Sequence, residues 1–180
     1  MDIKPLDKFL NEIEASNIEV IEHYERVAMM TYAFAKELGL NSTEKDRLYW
    51  IGLLHEIGKY KMEGYEHLYP LVTAAILRSH EEFAKIAHIV LQCEENIDGS
   101  GYPFHLTGES IHLYATITHL CDTYDHLRMQ GLNHDDAVLK LRTYNNIICP
   151  KKLITTFLKM LINNEELMEN YIKGETQSDE

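Results

Sequence analysis

Residues 18–38 read IEVIEHYERVAMMTYAFAKEL. Within this stretch apolar or small side chains recur at every third or fourth position, which is the spacing of one face of an α-helix; they are Val20, Tyr24, Val27, Thr31, Phe34 and Leu38. Gly39 follows, and glycine is common just beyond the last helical turn. The stretch predicts an amphipathic helix with one face buried against other elements.

The same spacing recurs along the chain, and no run alternates convincingly with period two. Further helices are predicted at residues 6–15, 42–57, 69–79, 81–95, 112–129, 135–142 and 151–161. Ser42 or Thr43 is expected to cap the third of these eight helices, and Pro150 suits the first turn of the last one. The sequence therefore predicts an all-α fold, a bundle of about seven or eight helices.

Residues 98–103, DGSGYP, interrupt this pattern, because glycine and proline at this density exclude regular structure. We predict an ordered loop over residues 98–108. The chain shows no internal repeat and no Gly/Ser linker, and 180 residues fit one domain. The expected organisation is an N-terminal helical segment at 1–17, one domain at 18–163, and a polar helix and tail at 164–180.

The formal net charge of −12 excludes non-specific binding to a nucleic-acid polymer, which depends on Lys and Arg displacing counterions. A small anionic ligand would need a locally positive or metal-bearing pocket. The N-terminus does not resemble a signal peptide and no apolar run reaches the roughly 20 residues that span a bilayer. Three cysteines without a CxxC pair indicate reduced thiols, so we expect a cytoplasmic protein that does not bind membranes.

His55 and Glu56 form the strongest local motif, at the end of an apolar helix. An adjacent imidazole and carboxylate offer mixed nitrogen and oxygen ligands, which suit iron, manganese or zinc better than calcium or magnesium. His23 and Asp122 lie in two other predicted helices. Because packed helices can direct side chains into one pocket, these four residues are candidate metal ligands.

Each candidate also has a structural alternative. His23 shares a helical face with apolar residues and could be a hydrogen-bonded core histidine. The His55–Glu56 pair could be a helix C-terminus with a solvated glutamate. Asp122 could belong to a polar surface stripe with His119 and His126.

The HEIGK motif at 55–59, the DGSGYP segment and the following FHLTGESIHLYATI at 104–117 resemble the HD-GYP family over residues 18–161. The resemblance implies an HD-type helical bundle with His23, His55, Glu56 and Asp122 as metal ligands. It also implies that Lys59 contacts phosphate. Glu19 matches a carboxylate that some three-metal members use, and it is a further candidate ligand.

The chain departs from the family pattern at four ligand positions. Glu56 replaces the aspartate of the HD pair, and Tyr69, Cys93 and Glu94 stand where the family has histidines. The stretch between Lys59 and Tyr69 is also shorter than usual in the family. We therefore predict that a bimetallic centre with the usual histidine ligands does not form, and that Tyr69 and Cys93 fill its place. Glu94 remains a candidate ligand.

Two functions follow from the resemblance. The first is a stand-alone HD-GYP-like signalling module, catalytically impaired or inactive, that binds a nucleotide or a protein partner. The alternative is an active metal-dependent phosphohydrolase on a nucleotide or a cyclic dinucleotide, cyclic di-GMP being the substrate of the family. In either case we expect a divalent ion (iron, manganese or zinc) to be held weakly or not at all.

Overall fold

The computed structural model describes residues 18–59 and 66–164, and within them the chain is a bundle of seven α-helices without a β-strand. The helices are α1 (Ile18–Glu37), α2 (Ser42–Leu54), α3 (Tyr69–Arg78), α4 (Ala87–Val90), α5 (Leu113–Met129), α6 (His134–Arg142) and α7 (Lys151–Asn163). The all-α prediction is confirmed. The predicted helices at 6–15 and beyond residue 164 lie outside the described residues, and the domain boundaries stay a prediction. None of the described helices is long and apolar enough to cross a membrane.

Helix α1 lies at the centre of the bundle and packs along α2 and α5. Its predicted apolar face is buried, with Val27 and Phe34 fully inaccessible to solvent. At its crossing with α2 the two backbones approach closely, since a Cβ added at Gly52 would lie 2.8 Å from Ala28 Cα. This close packing fixes the separation of α1 and α2. Three of the four candidate ligands depend on it, because His23 lies in α1 and His55 and Glu56 directly follow α2.

Helix α2 begins at Ser42, as predicted, but ends at Leu54, three residues earlier than the sequence predicted. Asn41 is its N-cap rather than Ser42 or Thr43, because Asn41 Oδ1 accepts from Glu44 N at 3.1 Å and the Glu44 carboxylate accepts from Asn41 N at 3.0 Å. The helix ends at Leu54, and turns carry the chain onward. At Gly58 the chain crosses α3 too closely for a side chain, since a Cβ would lie 2.5 Å from Thr73 N.

The prediction of one helix over residues 81–95 is wrong. Only Ala87–Val90 is α-helical, and turns precede and follow it. The reason is that several hydrogen bonds of this segment reach back three residues instead of four, such as Cys93 N to Val90 O at 3.1 Å and Glu95 N to Gln92 O at 3.0 Å. Such bonds give a tighter, less regular winding.

The DGSGYP segment is an ordered loop, as predicted, and Glu95 is its main anchor. The Glu95 side chain is fully buried and accepts from Phe104 N at 2.6 Å and Leu106 N at 2.9 Å. Tyr102 N donates to Glu94 O at 3.0 Å, and Asp98 pairs with Thr107 in an isolated bridge. The loop is therefore held against the residues that precede it.

We expect Glu95→Ala to destabilise the fold by about 2 kcal/mol, because it removes a buried carboxylate that accepts two backbone hydrogen bonds. Glu95→Gln keeps one oxygen acceptor and should lose roughly half as much. Urea unfolding measures the loss, and limited proteolysis should show new cleavage within residues 98–108. Glu109→Ala, at an exposed position directly after the loop, is the control; equal stability of Glu95→Ala and Glu109→Ala would contradict this role.

Candidate metal centre

Four buried side chains from three helical segments converge at one point of the bundle. His23 lies in α1, His55 and Glu56 follow the last residue of α2, and Asp122 lies in α5. Each offers one ligand atom within 4.8 Å of the others. Glu56 and Asp122 are only 4% and 6% exposed, so neither the solvated glutamate nor the surface stripe describes them.

Both histidine rings are oriented by a partner on Nδ1. His55 Nδ1 lies 2.7 Å from Gly52 O, and His23 Nδ1 lies 2.7 Å from Asp125 Oδ2. A carbonyl oxygen only accepts, so Nδ1 of His55 carries the proton. A carboxylate oxygen also accepts, so Nδ1 of His23 is assigned a proton as well. Both Nε2 atoms face the cluster, an arrangement typical of histidines that bind metal through Nε2.

The distances within the cluster suit a shared cation. Asp122 Oδ1 lies 3.3 Å from both His23 Nε2 and His55 Nε2, and Glu56 Oε2 lies 3.6 Å from His23 Nε2. Nitrogen and oxygen ligands that bind one ion at about 2.1 Å lie roughly 3.0 to 3.4 Å apart. His23 Nε2 is buried and makes no well-aligned hydrogen bond, but it faces two carboxylates, a charged setting rather than the apolar core that the core-histidine alternative assumed. The donor set therefore fits a divalent ion.

In the metal-free cluster a proton takes the place of the cation. Burial lowers the pKa of His23, but its contacts with Asp122, Asp125 and Glu56 outweigh burial and raise that pKa to about 11. Burial raises the pKa of Glu56, but the contact with His23 and the charge of Lys59 lower it to about 2. The cluster thus combines an imidazolium with carboxylates, and a metal must displace the proton on His23.

The raised pKa of His23 predicts a pH dependence of the metal-free protein. Its stabilising effect is fully present below the unfolded-state value of about 6.5 and is lost as the pH rises towards 11. We expect the free energy of unfolding, measured in urea with a chelator, to fall on the order of 1 kcal/mol per pH unit between pH 7 and 9. His23→Gln should flatten that slope; an equally steep slope in this variant would show that other groups cause it.

The remaining candidates lie around the cluster. Lys59 Nζ is 2.7 Å from Glu56 Oε1 and 5.4 Å from the centre of the Tyr69 ring, and its side chain is partly exposed. Glu19 is exposed in the first turn of α1 and belongs to neither group of candidate ligands that the described residues form. Glu94 belongs to the second group, together with His119 and Asp122.

Tyr69 and Cys93 are buried beside the cluster. The Tyr69 hydroxyl donates to Glu94 Oε1, and Cys93 Sγ lies 3.8 Å from Ile89 O. Burial raises the pKa of the Cys93 thiol, and the charges of Glu94 and Asp122 raise it further, so the thiol stays neutral. Neither side chain offers the imidazole lone pair that the family has at these positions.

Sequence reasoning missed several residues of this centre. Asp125 orients His23 and is itself held by Arg26, whose Nε and Nη2 donate to it at 2.7 and 2.9 Å. His126 Nδ1 lies 2.9 Å from Asp122 Oδ1. The available signal was helical spacing, because Asp125 lies three residues after Asp122 and Arg26 lies three residues after His23.

A cavity of about 360 Å³ opens beside the cluster. Its lining includes Glu56, Lys59, Tyr69, Glu94, Tyr102, Asp122, Thr123, His126, Leu127, Gln130 and Tyr144. Counted with Glu56, Glu94 and Asp122 ionised, Lys59 protonated and its one histidine, His126, neutral, this lining has a net charge of −2. A phosphate ligand would be repelled from such a surface unless a cation were bound there.

Comparisons with known proteins agree with this architecture. The HD domain family model matches residues 20–127. The chain is 28% identical over 169 residues to cyclic di-GMP phosphodiesterase PdeB of Borreliella burgdorferi, which covers 83% of this chain and 43% of that protein. It is 30% identical over 132 residues to 3'3'-cGAMP-specific phosphodiesterase 1 of Vibrio cholerae, with 65% of this chain and 31% of that protein covered.

A solved structure shares the fold. Bd1817, an HDG"Y"P protein from Bdellovibrio bacteriovorus, superposes with a TM-score of 0.66 at 21% identity, covering 86% of this chain and 60% of that one. The predicted resemblance to HD-GYP proteins is confirmed. The chain spans less than half the length of these two phosphodiesterases. Since the HD model matches more than half of its residues, the chain belongs to the HD domain family.

Proposed function

We propose that the chain is a metal-dependent phosphohydrolase module that hydrolyses the phosphodiester bond of a cyclic dinucleotide at a reduced rate. The observation that carries this proposal is the buried set of His23, His55, Glu56 and Asp122, in which His23 Nε2 faces the carboxylates without a well-aligned hydrogen bond. The named relatives act on cyclic di-GMP and 3'3'-cGAMP, which supports this substrate class.

A divalent ion in this cluster supplies Lewis acidity towards phosphate and activates water near neutral pH. The chain's own residues prepare the site for it. Gly52 O and Asp125 fix the two imidazole rings, so little reorganisation is needed on binding. Lys59 at the cavity offers one positive charge to a phosphate oxygen, although it must share that charge with Glu56.

The cavity suits one phosphodiester and the groups next to it. Its volume of about 360 Å³ lies at the low end of small-molecule sites, so parts of a cyclic dinucleotide would extend out of it. Tyr102 and Tyr144 are half-buried rings in the lining, and tyrosine rings bind nucleobases by stacking.

The reduced rate follows from the charge around the substrate. One divalent ion would only neutralise the net charge of −2 on the lining, and the substrate carries negative charge itself. Tyr69 and Cys93 stay neutral, but unlike the imidazoles of histidine they do not bind a cation. Phosphodiester hydrolysis gains from a second ion that stabilises the leaving oxygen, and without imidazoles at positions 69 and 93 the chain binds a second ion weakly at best, which slows turnover.

A binding module that does not hydrolyse its ligand is the second candidate. The specific observation in its favour is that Lys59 is engaged by Glu56 and that Glu94 is engaged by the Tyr69 hydroxyl. In such a module the same cavity would hold the nucleotide without cleaving it.

Turnover of cyclic di-GMP and 3'3'-cGAMP by protein stripped with a chelator and then supplied with Mn²⁺ distinguishes the two candidates. We expect slow, metal-dependent formation of linear dinucleotide, which the chelator abolishes. Nucleotide binding with no detectable product at saturating Mn²⁺ or Fe²⁺ would instead assign the binding module. Turnover that the chelator does not affect would contradict both.

A further inference from the structure

We infer that the chain has a second cation site, formed by Glu94, His119 and Asp122, in which His119 takes the part of the histidines that Tyr69 and Cys93 replaced. One ligand atom of each residue lies within 4.8 Å of the others. The inference deepens the proposed function and rests on its metal chemistry, but it concerns a ligand set that the family pattern does not contain.

The orientation of the His119 ring is the first argument. His119 Nε2 lies 3.0 Å from Asn96 Oδ1, and the amide nitrogen of Asn96 donates to Ser100 Oγ at 3.0 Å. Because Asn96 Oδ1 can only accept, His119 carries its proton on Nε2 and has its lone pair on Nδ1. The ring is thus fixed in the tautomer that a metal ligand requires.

The environment of that lone pair is the second argument. His119 Nδ1 is buried and has no hydrogen-bond partner. Leaving a buried acceptor unpaired costs about 1 to 3 kcal/mol, so it needs a physical reason. A cation bound between Nδ1 and the carboxylates of Glu94 and Asp122 would supply that partner.

The carboxylates have oxygens left for a second ion. Asp122 Oδ1 lies within 3.3 Å of a ring nitrogen of His23, His55 and His126. Asp122 Oδ2 can therefore act as a ligand of a second ion. Glu94 receives the Tyr69 hydroxyl on Oε1 and interacts with Tyr102 as well, and its Oε2 is the oxygen that a cation would use. Adjacent ligand atoms of an octahedral ion lie about 3.0 Å apart and opposite ones about 4.2 Å, so side chains whose ligand atoms now lie up to 4.8 Å apart would draw together when the ion binds.

The DGSGYP loop gains a role in this arrangement. Ser100 Oγ accepts a hydrogen bond from the side-chain amide of Asn96, and the oxygen of that amide accepts one from His119 Nε2. Ser100 is in turn fixed by Asp98 Oδ1, which accepts from its backbone nitrogen and its hydroxyl. The loop thereby positions a ligand of the second ion. An imidazole nitrogen with two carboxylates suits Mn²⁺ or Fe²⁺. Two divalent ions would change the net charge of the lining from −2 to +2, and a positive lining attracts an anionic phosphodiester.

Binding of Mn²⁺ to the metal-free full chain tests the second site. We expect two equivalents per chain by equilibrium dialysis, the second weaker, and an exchange-coupled Mn²⁺ pair in the electron paramagnetic resonance spectrum. His119→Ala should bind one equivalent and lose the coupling, while the exposed histidine variant His88→Ala keeps two. Thermal unfolding by circular dichroism checks that His119→Ala is folded, and Asn96→Ala, which frees the ring without removing it, should weaken only the second equivalent.

The outcomes separate this inference from the proposed function. One equivalent in the wild-type chain at saturating Mn²⁺ would overturn the second site and leave the first intact. Two equivalents retained in His119→Ala would also overturn it. No bound ion in the wild-type chain would contradict the second site and the proposed function together.

Discussion

His55→Ala is expected to lower the affinity for divalent metal by more than about 100-fold and to remove metal-dependent hydrolysis. Loss of an outer-shell partner already costs about 10- to 100-fold in metal affinity, and His55 is placed as a direct ligand. Its Nε2 lies 3.3 Å from Asp122 Oδ1, and its orientation is fixed by Gly52 O. Mn²⁺ titration and phosphodiester turnover measure the two effects.

The control for this variant is His88→Ala, which removes an exposed histidine and should leave both quantities unchanged. His55 is 1% exposed, so the variant's fold must be checked by circular dichroism. If His55→Ala proves unstable, His55→Gln offers a side chain of similar reach that binds metals poorly. Wild-type metal affinity or turnover in a folded His55 variant would contradict the assignment of the ligand.

Gly101→Ala is expected to destabilise the protein by about 3 kcal/mol and to displace the DGSGYP loop. A Cβ at this position would lie 2.3 Å from both Asn96 N and Glu94 O, which are backbone atoms that cannot move independently. Since Glu94 and Asn96 border the proposed second site, metal binding should weaken as well. Urea unfolding and Mn²⁺ titration are the measurements.

Gly108→Ala in the same loop is the matched control. Gly108 has a φ of 51° but has open space around the position of a Cβ. Alanine there strains the backbone without a clash and should cost about 1 kcal/mol. Equal losses in the two variants would show that the close approach at Gly101 is not what holds the loop.

The helical fold could be predicted from the sequence wherever one segment carried enough turns of regular spacing. The apolar face of α1 is of this kind, whereas the DGSGYP loop could be predicted from its glycines and proline. The segment 81–95 was not, because the choice between hydrogen bonds to the third and the fourth preceding residue depends on packing against other helices. The cap at Asn41 was missed because Ser42 and Thr43 compete for the same role.

The residues of the first cluster could be recognised from the sequence because the HEIGK and DGSGYP motifs placed them. His119 and Asp125 belong to no motif, and their helical spacing from Asp122 alone does not show that they face the site, since the rotation of the helix is set by tertiary packing. Whether the lone pair of a histidine faces a carboxylate or solvent depends on the partner of its other nitrogen. For His119 that partner is Asn96, 23 residues away in the chain.

The central claim is that His23, His55, Glu56 and Asp122 hold a divalent ion. Crystals grown with Mn²⁺, with diffraction data collected at the manganese absorption edge, test it most directly through the anomalous difference map. The account predicts a peak about 2.0 to 2.2 Å from His23 Nε2, His55 Nε2 and oxygens of both carboxylates. A map without a peak among these four side chains at saturating Mn²⁺ would contradict it.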